Sequence, residues 1–140
     1  MLRKYRNSDI DEVMNLWLET NIVAHDFIDK SYWQGLFEIV KGMMADAEIY
    51  VFEDNNKILA FLGLIDGYIA GVFVNQEQQS KGIGKLLVDY AKEQYDKLSL
   101  SVYHRNRKAY LFYTRQGFVV EKEQVDENTN EKEYVMEWRR

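Results

Sequence analysis

The chain contains no cysteine, no proline and only two histidines, His25 and His104. Without cysteine there is no disulfide, no thiolate metal site and no Cys nucleophile. Two histidines cannot build a multi-histidine centre, so no metal is expected. No long apolar run exists either: hydrophobic residues make up 46% of the chain but fall in short stretches. Neither a spanning segment nor a membrane partner is expected. The first residues, Met1 to Asp9, lack the apolar region of a signal peptide. Positive charge is also in deficit, with a formal net charge of -5, which argues against nucleic acid as a partner. What remains is a soluble, cytoplasmic protein, and 140 residues suffice for one domain, 1–140, with its own core.

Hydrophobic periodicity then divides the chain. Met1 to Arg6 reads as a short edge strand. Ser8 is a candidate N-cap, and Asp9, Asp11 and Glu12 place acid in the first turn of a helix. Ile10, Val13, Met14 and Trp17 give that helix one apolar face, and it should end near Thr20–Asn21. An apolar loop, Ile22 to Ile28, leads to a second helix with Trp33, Leu36, Phe37, Val40 and Met44 on one face, capped by Asp29 or Ser31. Strand periods follow at Glu48–Phe52, Ile58–Ile65 and Tyr68–Val74, separated by turn residues at 53–57 and at Asp66–Gly67. This predicts an antiparallel meander. Its third strand, apolar on both faces, should be central, and Gly71 marks a bulge or a close approach.

A helix from Ile83 should bury Ile83, Leu86, Leu87, Tyr90, Ala91 and Gln94. Leu98, Leu100 and Val102 then alternate with Ser99, Ser101 and Tyr103 in a strand. The crossover makes that strand parallel to the third meander strand. Asn106 begins a last helix with Ala109, Phe112 and Tyr113 inward and Gly117 as its C-terminal cap. Phe118–Val125 and Glu133–Trp138 close the chain as a hairpin. The order β-α-α-β-β-β-α-β-α-β-β predicts an α+β fold, a mixed, mostly antiparallel sheet with helices on both faces.

The chemistry concentrates between Val72 and Leu87, a buried strand, a glycine loop and a helix start. A helix N-terminus offers unpaired N–H groups and a favourable dipole to a phosphate. A Walker A loop fails here, because Gln79 stands for its first glycine and Leu86 for its hydroxyl residue. A dinucleotide fingerprint fails because Leu87 occupies the third glycine position and no acidic residue ends a following strand.

What remains is Gln79-x-x-Gly82-x-Gly84, which resembles motif A of the GNAT superfamily of acyl-CoA-dependent N-acyltransferases. Asn106-x-x-Ala109-x-x-Phe112-Tyr113-x-x-x-Gly117-Phe118 resembles its motif B at a matching spacing, and the element order is similar along the whole chain. One departure is the proline often found after the third meander strand, where this chain has Asn75-Gln76-Glu77. The resemblance implies acetyl-CoA as co-substrate. Phe73 and Val74 would offer backbone groups to the pantetheine amides. Gln79, Ser80, Lys81, Gly82, Ile83, Gly84 and Lys85 would wrap the pyrophosphate, with both glycines allowing close approach. Asn106 would bond the pantetheine arm, and Tyr113 would face the sulfur as general acid. Lys81, Lys85, Arg105, Arg107 and Lys108 form a local basic group beside these motifs. Taken alone, Asn106 is also a helix N-cap and Tyr113 also a core aromatic.

The implied reaction moves acetyl to a primary amine by direct attack, and the acceptor is a small-molecule or peptide amine. The central strand carries no acidic residue to serve as base, which keeps open a non-catalytic acyl-CoA-binding sensor or scaffold. His25 and Asp26 are the best titratable candidates on the acceptor side. Their segment, Ala24-His-Asp-Phe27-Ile28, is similar to a His-x-Phe-Ile/Leu piece of some bacterial members. That likeness suggests His25, Asp26 and Phe27 as acceptor-pocket residues, with His25 a candidate base and Asp66, Tyr68 and Tyr103 as weaker options. The resemblance also allows a homodimer through the C-terminal strands, on which the residues are silent.

Overall fold

The computed structural model describes residues 1–140, and all seven strands join one sheet. Strand β1 (Leu2–Lys4) is followed by helices α1 (Ile10–Ala24) and α2 (Lys30–Met43). The meander is β2 (Glu48–Asp54), β3 (Lys57–Ile65) and β4 (Tyr68–Val74). Helix α3 (Ile83–Gln94) crosses to β5 (Lys97–Tyr103), and α4 (Arg107–Arg115) leads to the hairpin of β6 (Val119–Asp126) and β7 (Glu131–Arg139). The sheet order is β1-β2-β3-β4-β5-β7-β6, so β4 is central, as its two apolar faces predict. Only β4 and β5 run parallel. No helix is long and apolar enough to cross a membrane.

Alternation along the strands divides the core between the two faces. Ile49, Val51 and Phe61 point at α1 and α2, where Val13, Met14, Trp17 and Trp33 meet them. Tyr50, Ala60, Leu62 and Leu64 point at α3 and α4, joining Ile83, Leu87, Val88, Ala91, Tyr113 and Phe118. Each large side chain taken from water contributes about 1.5–3 kcal/mol.

Turn chemistry sets the register. Asn55 and Asn56 both have positive φ (51° and 62°), as do Asp66 and Gly67 (49° and 81°), the conformation that matches a two-residue hairpin turn to strand twist. Gly117, at φ +91°, ends α4 with Gly117 N–H bonded to Thr114 O and Phe118 N–H to Tyr113 O, both at 3.0 Å.

Three local expectations change, and the cap of α2 is decided between its two candidates. Ser8 is not the N-cap of α1. A 3-10 turn over Asn7–Asp9 precedes the helix, and Asp9, buried, takes the guanidinium fork of Arg3 at 2.8 and 2.9 Å and the Arg6 N–H at 2.8 Å. Helix α1 runs on to Ala24, so the first three residues of the expected apolar loop are helical. Asp29, rather than Ser31, caps α2, accepting the Ser31 N–H at 2.9 Å. Leu86 is 51% exposed, and Val88 packs inward in its place.

Candidate functional site

The parallel pair β4–β5 is joined at only two positions, Tyr68↔Ser99 and Ile69↔Leu100. Beyond them the strands part. The cause lies in β4, where Gly63↔Gly71 is followed by Leu64↔Ile69, leaving Ala70 as an extra residue that bends the strand. The parting opens a cavity of about 420 Å³ through the sheet. Its walls are β4 from Ala70 to Val74, Ser101 and Val102 of β5, Thr20, Asn21, Ala24 and His25 from α1, and Asn106, Ala109, Phe112 and Tyr113 around α4. Its floor is the glycine loop.

Register decides which backbone groups face the gap. Asn75 N–H bonds Leu59 O at 2.8 Å, so the hydrogen-bonded pairs step by two to Phe73–Phe61 and Gly71–Gly63. The N–H and C=O groups of Phe73 are thereby committed to β3. Those of Val72 and Val74 point into the gap, whereas those of Phe73, expected beside Val74, do not. Val74 O accepts Gln79 Nε2 at 3.1 Å, so the motif glutamine anchors its own loop to the strand. Gln79 Oε1 in turn accepts from Lys108 of α4. Where the family's proline would stand, Asn75 Oδ1 takes the Glu77 N–H at 3.0 Å and makes the turn with its side chain.

None of the N–H groups from Ser80 to Lys85 makes a hydrogen bond of normal geometry within the protein. The first to do so is Leu86 N–H, 3.1 Å from Gly82 O. Ser80 (φ +65°) and Gly82 (φ +84°) are left-handed, which turns successive N–H groups to one side as an anion nest. The two glycines serve differently. Gly82 supplies the positive φ, and a Cβ there would meet nothing within 4 Å. Gly84 supplies space, since a Cβ would lie 3.2 Å from Phe112 Cζ.

Tyr113 is 7% exposed and lines the cavity from α4. Burial pushes its phenol pKa well above the usual tyrosine value, while its backbone contact with Val72 acts the other way. The proton therefore stays on the oxygen at neutral pH. Asn106 caps α4, its Oδ1 taking the Ala109 N–H at 3.2 Å, and its Nδ2 lies 3.1 Å from His25 Nε2. His25 is stacked on Trp33, with ring centroids 5.1 Å apart, and desolvation pushes its pKa down to about 4. Its Nδ1 is buried without a partner. Nε2 is occupied and Nδ1 is sealed from the cavity, so His25 is no free base in this arrangement.

The other acceptor-side candidates lie outside the cavity. Asp26 is on the surface. Phe27 packs edge-on against His25 and Tyr103 and carries the Arg105 guanidinium over its ring. Tyr103 donates its hydroxyl to Asp126 Oδ2 at 2.6 Å, away from the gap. Tyr68, 40% exposed, sits below the point where the strands part. The basic group also disperses. Lys85 and Lys108 reach the cavity, but Lys81 bonds Gln78, Arg105 pairs with Glu131 at 3.4 Å and Arg107 lies over Tyr110.

Sequence reasoning missed Thr20, Asn21 and Ala24. They continue the series Val13, Met14, Trp17 at helical spacing, and Thr20 and Asn21 are buried polar residues on a core face. That polarity was the available signal, hidden by ending the helix too early.

Residues 45–120 match the acetyltransferase (GNAT) domain family. The chain is also 31% identical over 140 residues to the peptidyl-lysine N-acetyltransferase YiaC of Escherichia coli, covering 99% of this chain and 96% of that protein. The chain belongs to the GNAT acetyltransferase family. GNAT relatives include the peptidyl-lysine N-acetyltransferase YjaB of Salmonella typhimurium, 27% identical over 85% of this chain and 83% of that one. In fold, this GNAT chain resembles the apo solution structure of YjaB from Escherichia coli, with a TM-score of 0.86 at 22% identity over 99% of this chain and 96% of that one. The reaction class is acyl transfer to an amine, and GNAT acetyltransferases take the acyl group from acetyl-CoA.

Proposed function

We propose that the cavity between β4 and β5 holds acetyl-CoA and that the acceptor is a lysine ε-amine carried on a peptide or protein. The observation that carries the donor assignment is the run of unpaired N–H groups from Ser80 to Lys85 at the floor of a cavity walled by Val72, Val74 and Tyr113. Such a nest at a helix N-terminus suits a pyrophosphate, and Lys85 and Lys108 add positive charge beside it. The gap-facing groups of Val72 and Val74 suit the amides of the pantetheine arm, with Asn106 on its other side.

Bound acetyl-CoA supplies an acetyl thioester, whose carbonyl carbon an amine attacks directly, releasing the thiolate. Tyr113 holds its proton at the phenol oxygen, where it donates to the departing sulfur. The amine reaches the carbonyl from the α1 side, past Thr20, Asn21 and Ala24, and loses its proton to water. The lysine acceptor is supported by YiaC, a peptidyl-lysine N-acetyltransferase related along nearly the full length.

Thiol release measured with acetyl-CoA and a panel of amines tests both parts. Lysine-containing peptides with free ε-amines should turn over with saturation, ahead of spermidine and free amino acids. Preference for a small polyamine would overturn the acceptor assignment. Absence of acetyl-CoA binding at millimolar concentration by isothermal titration would remove the donor assignment.

A further inference from the structure

His25 lies where the loop after α1 meets Asn106, the N-cap of α4. Its backbone N–H bonds Asn21 O at 3.0 Å, ending α1. Its ring is fixed on three sides, stacked on Trp33 and met edge-on by Phe27 and Tyr103 at centroid distances of 5.8 and 5.1 Å. Asn106 is held as firmly. Its N–H bonds Tyr103 O at 3.0 Å, its C=O accepts Tyr110 N–H at 3.1 Å, and its Oδ1 caps the helix at Ala109 N–H.

These contacts determine the protonation of the pair. Oδ1 is the end of the Asn106 amide that can accept from Ala109, so Nδ2 is the end that faces His25. An amide nitrogen only donates. His25 Nε2, 3.1 Å away, must therefore be the acceptor, and the ring is neutral with its proton on Nδ1. Nδ2 has two hydrogens. With one directed at His25 and the amide plane pinned by the helix cap, the second has no acceptor within the protein, and Asn106 lines the cavity.

We propose that His25 is a positioning residue: it orients the Asn106 amide so that its free N–H meets the pantetheine arm. The loop after α1 is thereby tied to the acetyl-CoA side of the site. That role presupposes acetyl-CoA in the cavity. It also gives a half-buried, uncharged histidine a use other than proton abstraction.

A double-mutant cycle with isothermal titration of acetyl-CoA tests it. His25→Phe keeps the aromatic stack and removes the acceptor, and should weaken acetyl-CoA about three- to tenfold, the effect of one neutral hydrogen bond. His25→Gln restores an acceptor and should recover most of that loss. Asn106→Ala should weaken binding by itself, and adding His25→Phe to it should change nothing further. Effects that multiply, or wild-type affinity in His25→Phe, would overturn the proposal. A second measurement needs no variant. Long-range proton–nitrogen spectra of the wild-type ring should show Nε2 unprotonated and Nδ1 protonated near pH 7, and the reverse tautomer would overturn it. If wild-type protein fails to bind acetyl-CoA, the donor assignment falls and this role with it. If it binds and the cycle is additive, only this role falls.

Discussion

Tyr113→Phe removes one oxygen from the inner face of α4 and leaves the ring where it is. The ring contacts with Phe112 and Phe118, at centroid distances of 5.2 and 5.7 Å, do not involve the hydroxyl. The polar backbone group the hydroxyl meets is that of Val72. Loss of one such contact costs about 1 kcal/mol or less, which lowers Tm by no more than about 5 °C. Catalysis should respond far more. A positioned general acid contributes about 10²–10⁴ in rate. Burial raises the phenol's pKa and makes it a reluctant donor, which favours the low end, a loss of about 100-fold in kcat, or about 2.7 kcal/mol. Thiol release at saturating acetyl-CoA and lysine peptide reads this directly, alongside the acetyl-CoA Kd, which should stay within about threefold since the lost interaction belongs to the departing sulfur. The ratio of wild-type to variant kcat should be flat from about pH 6 to 9, because the phenol titrates above its ordinary value of about 10. An unchanged kcat would refute the general-acid role. A loss of affinity equal to the loss of kcat/KM would show that the oxygen binds the donor and leaves the chemistry to others.

Two further outcomes follow from the backbone and from a partly buried ion pair. Gly82→Ala meets no clash, yet places a Cβ on a residue at φ +84°. It should cost about 1–2 kcal/mol in urea unfolding and weaken acetyl-CoA as the N–H groups turn, and an unaltered midpoint and Kd would refute the nest. Asp9 has its pKa lowered chiefly by the hydrogen bonds from Arg3, so its folded pKa lies below its unfolded one. Its contribution is then fully present above the unfolded carboxylate value of about 4 and lost as pH falls through the folded value. Asp9→Asn should destabilise by about 1.5–3 kcal/mol at pH 7, with the gap narrowing as pH falls below about 4, and a gap that does not narrow there would refute the linkage.

The fold was legible wherever local chemistry and packing agree. Strand alternation separated Tyr50 from Ile49 and Val51, and Gly117 ended α4 as a left-handed cap should. Legibility failed where a polar residue does an apolar residue's job. Thr20 and Asn21 continue the buried face of α1, but their polarity read as a helix end. Ser8 looked like a cap until Arg3, three-dimensionally adjacent but on another element, drew Asp9 inward. The fault in the sheet was only hinted at. Gly71 marked a bulge, yet the parting of β4 from β5 depends on pairing partners that no local pattern names.

The same contrast separates the two halves of the site. As proposed, the donor side would be built from backbone: N–H groups at the start of α3, the gap-facing edge of β4, and two glycines that permit that geometry. Backbone geometry of this kind demands particular residues at fixed spacing, so it leaves a motif in the chain. The acceptor side would be built from side chains on α1, α4 and the loop at His25, elements far apart in the chain. No spacing rule connects Asn21, His25 and Asn106, and each alone has an ordinary structural explanation. His25 shows the consequence. As an isolated titratable residue beside a pocket it invites the role of base, whereas its contact with Asn106 occupies the nitrogen a base would need. With no carboxylate on the gap-facing stretch of β4 either, we propose that solvent takes the proton from the amine. Such an enzyme works best on amines that are already partly deprotonated, so kcat/KM for a lysine peptide should rise with pH along the acceptor's own titration. A limb that tracks the same enzyme pKa for two peptides of different lysine pKa would instead reveal a protein base.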